Sequence, residues 1–111
     1  PTPQRLVTSV APQALTMFNG DFANRQAVYF AKRLQREAGP DLANQVQLAY
    51  RLAVCREPTR RESTLMQEFL THEEARQKDE SEELEDEQAR HRALVQMCRV
   101  ILNLNEVAYA D

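Results

Sequence analysis

Glycine, aromatic residues and cysteine are all scarce in this chain of 111 residues, and each scarcity excludes a class of structure. Two glycines and 6% aromatic residues argue against a turn-rich sandwich or barrel. Two cysteines exclude a disulfide-rich secreted scaffold. No apolar run approaches the roughly 20 residues of a membrane-spanning helix, so no membrane span is expected. The length instead fits one domain that needs neither a metal nor a disulfide to fold.

Neither sign of charge dominates, because 14 basic and 17 acidic residues give a formal net charge of −3. Phosphate binding needs clustered Lys and Arg, so scattered bases in a mildly acidic chain do not predict a nucleic-acid partner. The two cysteines, Cys55 and Cys98, lie far apart in the sequence. A bridge between them requires Cα atoms within about 6 Å, and the simpler expectation is two buried thiols.

Apolar residues recur at helical spacing in five segments, and no alternating strand pattern competes with them. This pattern predicts an all-α fold, a compact bundle of about five helices with an acidic loop between the last two. Residues 1–8 are interpreted as an extended lead-in, because they show no periodicity. The predicted helices cover residues 12–18, 21–38 and 41–56, a fourth segment that begins at residue 59, and a fifth that begins near residue 90.

Capping residues predict where these helices begin and end. Asp21 and Asp41 are predicted N-caps, because a carboxylate there can accept hydrogen bonds from the first free N–H groups. Thr59, followed three residues later by Glu62, predicts a capping box. Gly39 is predicted to stop the second helix, and the short link after it favours an antiparallel hairpin with the third.

An acidic loop is predicted over residues 76–90. Nine acids and two bases lie between Glu73 and Glu87, and Leu84 is the only large apolar residue there. Such a run cannot bury a face, so it is either a solvated helical extension or a disordered loop.

The helix after this run has the cleanest apolar stripe and is predicted to close the core against the second and third helices. Its stripe consists of Leu94, Met97, Cys98, Ile101 and Leu102. The third helix is expected to have two apolar stripes, the first with Leu42, Val46, Ala49 and Ala53 and the second with Leu48, Leu52 and Cys55. The fourth helix is expected to bury Leu65, Met66, Phe69 and Leu70.

Residue types that carry chemistry stand in no recognisable arrangement. His72 and His91 lie at the two ends of the charge run, without ligand spacing such as C-x2-C or H-E-x-x-H, and are expected to be exposed. No Gly-rich phosphate loop, haem-attachment C-x-x-C-H or G-x-S-x-G motif occurs. We therefore expect no catalytic or metal-binding residue, no cofactor and no enzymatic activity.

Two groups of polar residues have predicted structural or interaction roles. Asn103 and Asn105 flank an apolar segment, and we interpret them as a latch in which buried amides fix the end of the last helix. Arg56, Arg60 and Arg61 cluster at the turn between the third and fourth helices, where they are candidates for holding an acidic partner. Arg56 has a local alternative, since it could pair nearby or bind carbonyls at the end of the third helix.

Three segments, taken in order, resemble a known family. Residues 12–19 (PQALTMFN) look like a PQALxxLN motif, residues 56–62 (REPTRRE) like R-x-P-T-x-x-E, and residues 101–107 (ILNLNEV) like LLNxNEF. In this order they resemble the C-terminal end of the large planctomycete PSD-type domain of unknown function, whose members often carry cytochrome c-like modules. Cys55 stands where that pattern usually has Gly, and Val107 where it usually has Phe.

The resemblance implies a cellular setting but no reaction. It implies an exported or envelope-associated bacterial parent protein, and no catalytic residue is carried over from it. The chain itself starts in a Pro-rich stretch without an initiator Met or a signal peptide, which fits a piece of a longer protein.

These observations predict a non-catalytic helical structural or interaction module of a larger exported bacterial protein. Its expected partner is the remainder of its parent chain or another protein, and a homodimer of the isolated chain is compatible with this. The alternative is an accessory C-terminal part of an enzyme or cytochrome-linked redox protein whose active site lies upstream. The first hypothesis predicts an exposed apolar patch, and the second a polar cleft with perturbed titratable groups.

Overall fold

Four helices make up the part of the chain that a computed structural model describes, residues 20–110, with side chains through residue 104. They are α1 (Asp21–Ala38), α2 (Leu42–Ala53), α3 (Arg60–Glu80) and α4 (Asp86–Ala110). No strand occurs in this part of the chain, and the predicted all-α class is confirmed. The bundle therefore has four described helices rather than five.

The first predicted helix, residues 12–18, and the lead-in, residues 1–8, lie outside the described residues. Within residues 20–110, no helix has the length and apolar character needed to cross a membrane.

A tight link joins α1 and α2. Gly39 has a φ of 76°, in the left-handed region where a side chain would be strained, and its N–H donates to the carbonyl of Gln35 at 3.2 Å. The Asp41 carboxylate accepts from the N–H of Ala43 at 3.3 Å, so Asp41 is the N-cap of α2. The Gln45 amide donates to the carbonyl of Gly39 at 2.7 Å, which fixes the link onto α2.

The start of α1 differs from the prediction. Asp21 is the first helical residue, and the N-cap is Gly20, without a side-chain hydrogen bond. The ladder begins one residue early because the Asn24 N–H already donates to the carbonyl of Gly20 at 3.1 Å. Asp21 thus acts through its negative charge in the first turn, where the helix dipole favours it.

The core lies where α4 packs along α3 and α1. On α1, Ala27 and Ala31 are fully buried, and such small side chains let a neighbouring helix approach closely. The predicted stripe on α4 is buried at Leu94, Met97, Cys98 and Ile101. Its last member, Leu102, packs against the core but is only partly buried.

The largest fully buried side chain, Tyr50, belongs to α2 and was not in either predicted stripe. The buried face of α2 is centred on Val46, Ala49 and Ala53, and Tyr50 lies one helical turn after Val46. Tyr50 therefore enters the core from the side of α2 opposite Leu52.

Two leucines that were expected in the core are exposed instead. Leu52 is 36% exposed and Leu65 is 50% exposed. Successive residues of a helix are turned by about 100° about the helix axis, so the position of a residue decides whether it faces the core. The buried faces of α2 and α3, which contain Ala49 and Leu70, point elsewhere.

The acidic loop is much shorter than the predicted residues 76–90. Helix α3 continues to Glu80 and α4 begins at Asp86, so the loop covers only residues 81–85. The prediction of a loop was wrong for residues 76–80 and 86–90, which are helical. These residues form the helical extension that the charge run also allowed.

Specific contacts hold these two helix ends in place. Arg76 donates to Glu73 at 2.6 and 2.9 Å and to Glu80 at 2.6 Å, which ties two turns of α3 together. Gln77 on α3 and Ala89 on α4 are buried, so the charged segment does have an inner side. Glu73 and Glu74 are partly buried, and the other seven acids of the run are exposed.

Candidate functional site

The corner between α2 and α3 has the densest polar network, which we call the corner cluster: Tyr50, Arg56, Thr59 and Glu62. The Arg56 guanidinium donates to both carboxylate oxygens of Glu62, at 2.7 and 2.8 Å. The Thr59 N–H donates to Glu62 Oε1 at 2.8 Å, and the Glu62 N–H donates to Thr59 Oγ1 at 3.1 Å. This reciprocal pair is the predicted capping box.

Electrostatics in the corner cluster follow from this geometry. The hydrogen bonds from Arg56, and after them the N–H of Thr59, lower the pKa of Glu62 to about 2. The same carboxylate raises the pKa of Arg56. The guanidinium carbon lies 5.6 Å from the centroid of the Tyr50 ring, and burial raises the pKa of Tyr50. Each group stabilises its neighbour, so the arrangement anchors the start of α3.

The three arginines proposed for an acidic partner therefore differ in their surroundings. Arg56 is engaged with Glu62 and also donates to the carbonyl of Glu57 at 3.1 Å, which is the local pairing considered for it. Arg60 and Arg61 are exposed in the first turn of α3. Neither takes part in an ion pair with another residue of the described part of the chain.

The cysteines do not meet and differ in environment. Both thiols are free, and only Cys98 is buried, which raises its pKa to about 12. Cys55 is exposed, so the expectation of two buried thiols was wrong for it. Its φ of 63° lies in the left-handed region, where glycine is the residue without strain. A glycine, which the resemblance implies at this position, would adopt this φ without strain.

The predicted asparagine latch requires buried amides, but the side chain of Asn103 is exposed on α4. Asn105 lies beyond the residues whose side chains are described. Asn103 faces solvent because the buried stripe of α4 passes through Cys98 and Ile101, which leaves residue 103 on the outer side.

The histidines are held apart by their helices. His72 is exposed on α3, while His91 Nδ1 lies 3.2 Å from Oε1 of Gln35 on α1. No group of three or more His, Cys, Asp or Glu residues with metal-binding geometry occurs in the described segment.

A polar cleft of about 570 Å³ lies at the loop end of the bundle. Its apolar floor includes Leu42, Leu70 and Leu94, and its charged rim includes Glu74, Asp86, Glu87 and Arg90. Two ion pairs cross the rim: Glu74 with Arg90 at 3.6 Å, and Asp86 with Lys78. The hydrogen bond from Lys78 lowers the pKa of Asp86, so this rim ties α3 to α4.

An apolar groove of about 350 Å³, which we call the α1–α2 groove, lies at the other end of the hairpin. It is lined by Gln26, Tyr29, Phe30, Arg33, Leu52, Ala53 and Leu102. Tyr29 is 68% exposed at its rim, and Phe22, two turns earlier on α1, is 46% exposed. The sequence signal for this groove was the helical spacing of Phe22, Gln26 and Tyr29, a second stripe beside the core stripe.

Comparisons with known proteins place the chain in one family. The family model named PSD1, described as a protein of unknown function (DUF1553), matches residues 1–70. The match includes the first two motifs of the resemblance, and the third, at residues 101–107, lies beyond it. No curated protein and no solved structure matches the chain.

Proposed function

We propose a role for this chain on the basis of its own surfaces. The chain belongs to the PSD1 family of proteins of unknown function (DUF1553). It is a non-catalytic helical module that packs, through the α1–α2 groove, on the polypeptide that precedes α1. The observation that carries the proposal is this groove, in which large apolar side chains line a concave surface and remain exposed.

The groove has the properties of an unfilled packing surface. Tyr29, Phe30 and Leu52 contribute aromatic and aliphatic area on two helices, and Leu102 contributes from a third. Grouped apolar side chains on a surface mark a place where another element packs, because covering them removes apolar area from water. Tyr29 suits such a site, since its hydroxyl can stay in contact with water while its ring is covered.

The proposed occupant is residues 12–18 of the same chain, which contain Ala14, Leu15, Met17 and Phe18. This segment joins α1 at Gly20, two residues before exposed Phe22. From residue 20 to residue 29, α1 rises by about 13 Å, and an extended chain from residue 19 back to residue 15 can span the same distance at about 3.3 Å per residue. A reversal at residues 19–20 would therefore allow Leu15 to return along α1 to the groove.

The family match supports treating this segment and the hairpin as one unit. It begins at residue 1 and runs through α1, α2 and half of α3, so the segment and the groove walls from α1 and α2 lie in the same family domain. We further propose, as the resemblance implies, that the parent protein is exported or envelope-associated in a bacterium. An accessory role beside an upstream active site is the alternative, and it predicts substrate-dependent changes at the polar cleft rather than at the groove.

A double-mutant cycle on the whole chain tests the proposed packing. Leu15→Ala and Leu52→Ala should show a coupling in the free energy of unfolding of at least about 0.5 kcal/mol, because contacting side chains are not additive. Leu15→Ala with Leu102→Ala repeats the test at a second residue of the groove.

The matched control pairs Leu15→Ala with Leu65→Ala, an exposed leucine on α3 that lies away from the groove. This pair should be additive within about 0.3 kcal/mol. Additivity in all three cycles would mean that residues 12–18 do not pack in the groove, and the proposal would be withdrawn.

A further inference from the structure

The outer face of α3 carries an apolar residue between two unpaired opposite charges. Leu65 is 50% exposed, which is high for a leucine on a helix that also faces the core. Arg61 lies one turn before it and Glu68 one turn after it, so the three share one face of the helix. Both charged side chains are exposed, and neither has an ion-pair partner among residues 20–104.

Helix α4 has further exposed apolar side chains near the level of Leu65. The pairs Glu74–Arg90 and Lys78–Asp86 set an antiparallel register between α3 and α4. In that register residue 65 lies level with residues 99–100. Val100 is 36% exposed and Leu104 is 39% exposed, so α4 also has exposed apolar side chains near that level of the bundle.

We propose that this face binds a second copy of the chain, with the two α3 helices antiparallel about a two-fold axis between Thr64 and Leu65. That axis relates residue 61 of one copy to residue 68 of the other. Arg61 then meets Glu68 of the second copy, and symmetry repeats the pair on the other side of the axis. The two Leu65 side chains meet near the axis and exclude water from each other.

The spacing is what makes the face complementary to itself. Arg61 and Glu68 are too far apart along α3 to pair within one copy, since seven residues of helix span about 10 Å. An antiparallel second copy brings opposite charges together at both ends of the contact, whereas a parallel one places like charges together. The interface is small, so the dimer is weak and depends on concentration and salt.

Sedimentation of the whole chain from about 10 µM to about 1 mM tests this arrangement. Wild type should pass from monomer to dimer across that range, and added salt should shift the transition to higher concentration. Arg61→Glu and Glu68→Arg should each weaken the dimer by about tenfold, because each places two like-charge pairs in the interface. The double reversal should restore the wild-type constant.

Arg60→Glu is the matched control. It changes the net charge by the same amount as Arg61→Glu, at the neighbouring residue, but on a different side of α3. It should leave dimerisation unchanged, and circular dichroism should show that all variants keep their helical content. A monomer at every concentration, equal effects of the two arginine variants, or a double reversal without rescue would each overturn the proposal. None of these outcomes bears on the α1–α2 groove, which lies on other helices.

Discussion

At the scale of single residues, Cys55 is the clearest case of a side chain in a backbone conformation that does not suit it. Its φ of 63° is the only positive value found for a residue other than glycine in the described part of the chain. Cys55 follows Val54, the C-cap of α2, at the position where helices commonly end with a left-handed residue. A Cβ in that conformation costs about 1–2 kcal/mol, so Cys55 weakens the corner that Arg56 and Glu62 then stabilise.

Cys55→Gly should therefore stabilise the chain by up to about 1 kcal/mol, part of the gain being offset by the greater freedom of glycine in the unfolded state. Urea unfolding under reducing conditions measures the change. Cys55→Ala is the control, because it removes the thiol but keeps the Cβ, and it should match wild type. A glycine variant that is less stable than both would contradict the left-handed assignment.

Single residues also show what the sequence could and could not predict. Gly39 and Asp41 were predictable because their effects are local: one relieves backbone strain, and the other caps a helix within three residues. Leu52 and Leu65 were not, since their exposure depends on which side of each helix the neighbouring helices occupy. Asn103 was misread for the same reason, because burial of an amide is a property of the assembled bundle.

At the scale of helices, capping chemistry defines the start of α3. The Glu62 carboxylate serves both the N–H of Thr59 and the guanidinium of Arg56. Its pKa in the folded chain is about 2, below the ordinary value of 4.5. A lowered folded pKa means that the charged form stabilises the fold. This contribution is complete above the unfolded pKa and is lost as the pH falls from about 5 towards 2.

Glu62→Gln should accordingly be less stable than wild type by about 1 kcal/mol near pH 7, and the difference should shrink as the pH falls from about 5 towards 2. Denaturant unfolding at a series of pH values gives the comparison. Glu83→Gln, in the exposed loop, is the control and should show no such difference. A difference between Glu62→Gln and wild type that stays constant down to pH 2 would show that the charge plays no part.

The acidic run shows the limit of prediction for whole elements. Composition indicated correctly that residues 76–90 present charge to water, but it did not decide between loop and helix. Arg76 favours the helix in part of this run, because its ion pairs with Glu73 and Glu80 at helical spacing stabilise the last turns of α3. The pair of Lys78 with Asp86 then joins the two helix ends across a short loop.

At the scale of the whole molecule, α4 closes the bundle. Its apolar stripe was predictable because it is long and regular, and four of its five residues are fully or nearly fully buried. What the stripe could not predict is that Leu102 would sit at the edge, where it lines the α1–α2 groove. That depends on where α2 ends relative to α4, which no local pattern records.

Ile101→Ala should cost about 2–5 kcal/mol in the free energy of unfolding, because Ile101 is fully buried and its truncation leaves a cavity. Val100→Ala, at the neighbouring residue, should cost less than about 1 kcal/mol, since Val100 is 36% exposed. Urea unfolding of both variants tests the orientation of α4. Equal losses would mean that the stripe does not face the core.

The central claim is that the α1–α2 groove is filled by the polypeptide that precedes α1. Nuclear Overhauser contacts in the whole chain, at a concentration where it is monomeric, test this most directly. The account predicts contacts from the side chain of Leu15 to the methyl groups of Leu52 or Leu102. Contacts within the core, such as those around Tyr50, serve as the internal reference. A spectrum that contains the core contacts but none between residues 12–18 and the groove would contradict the account.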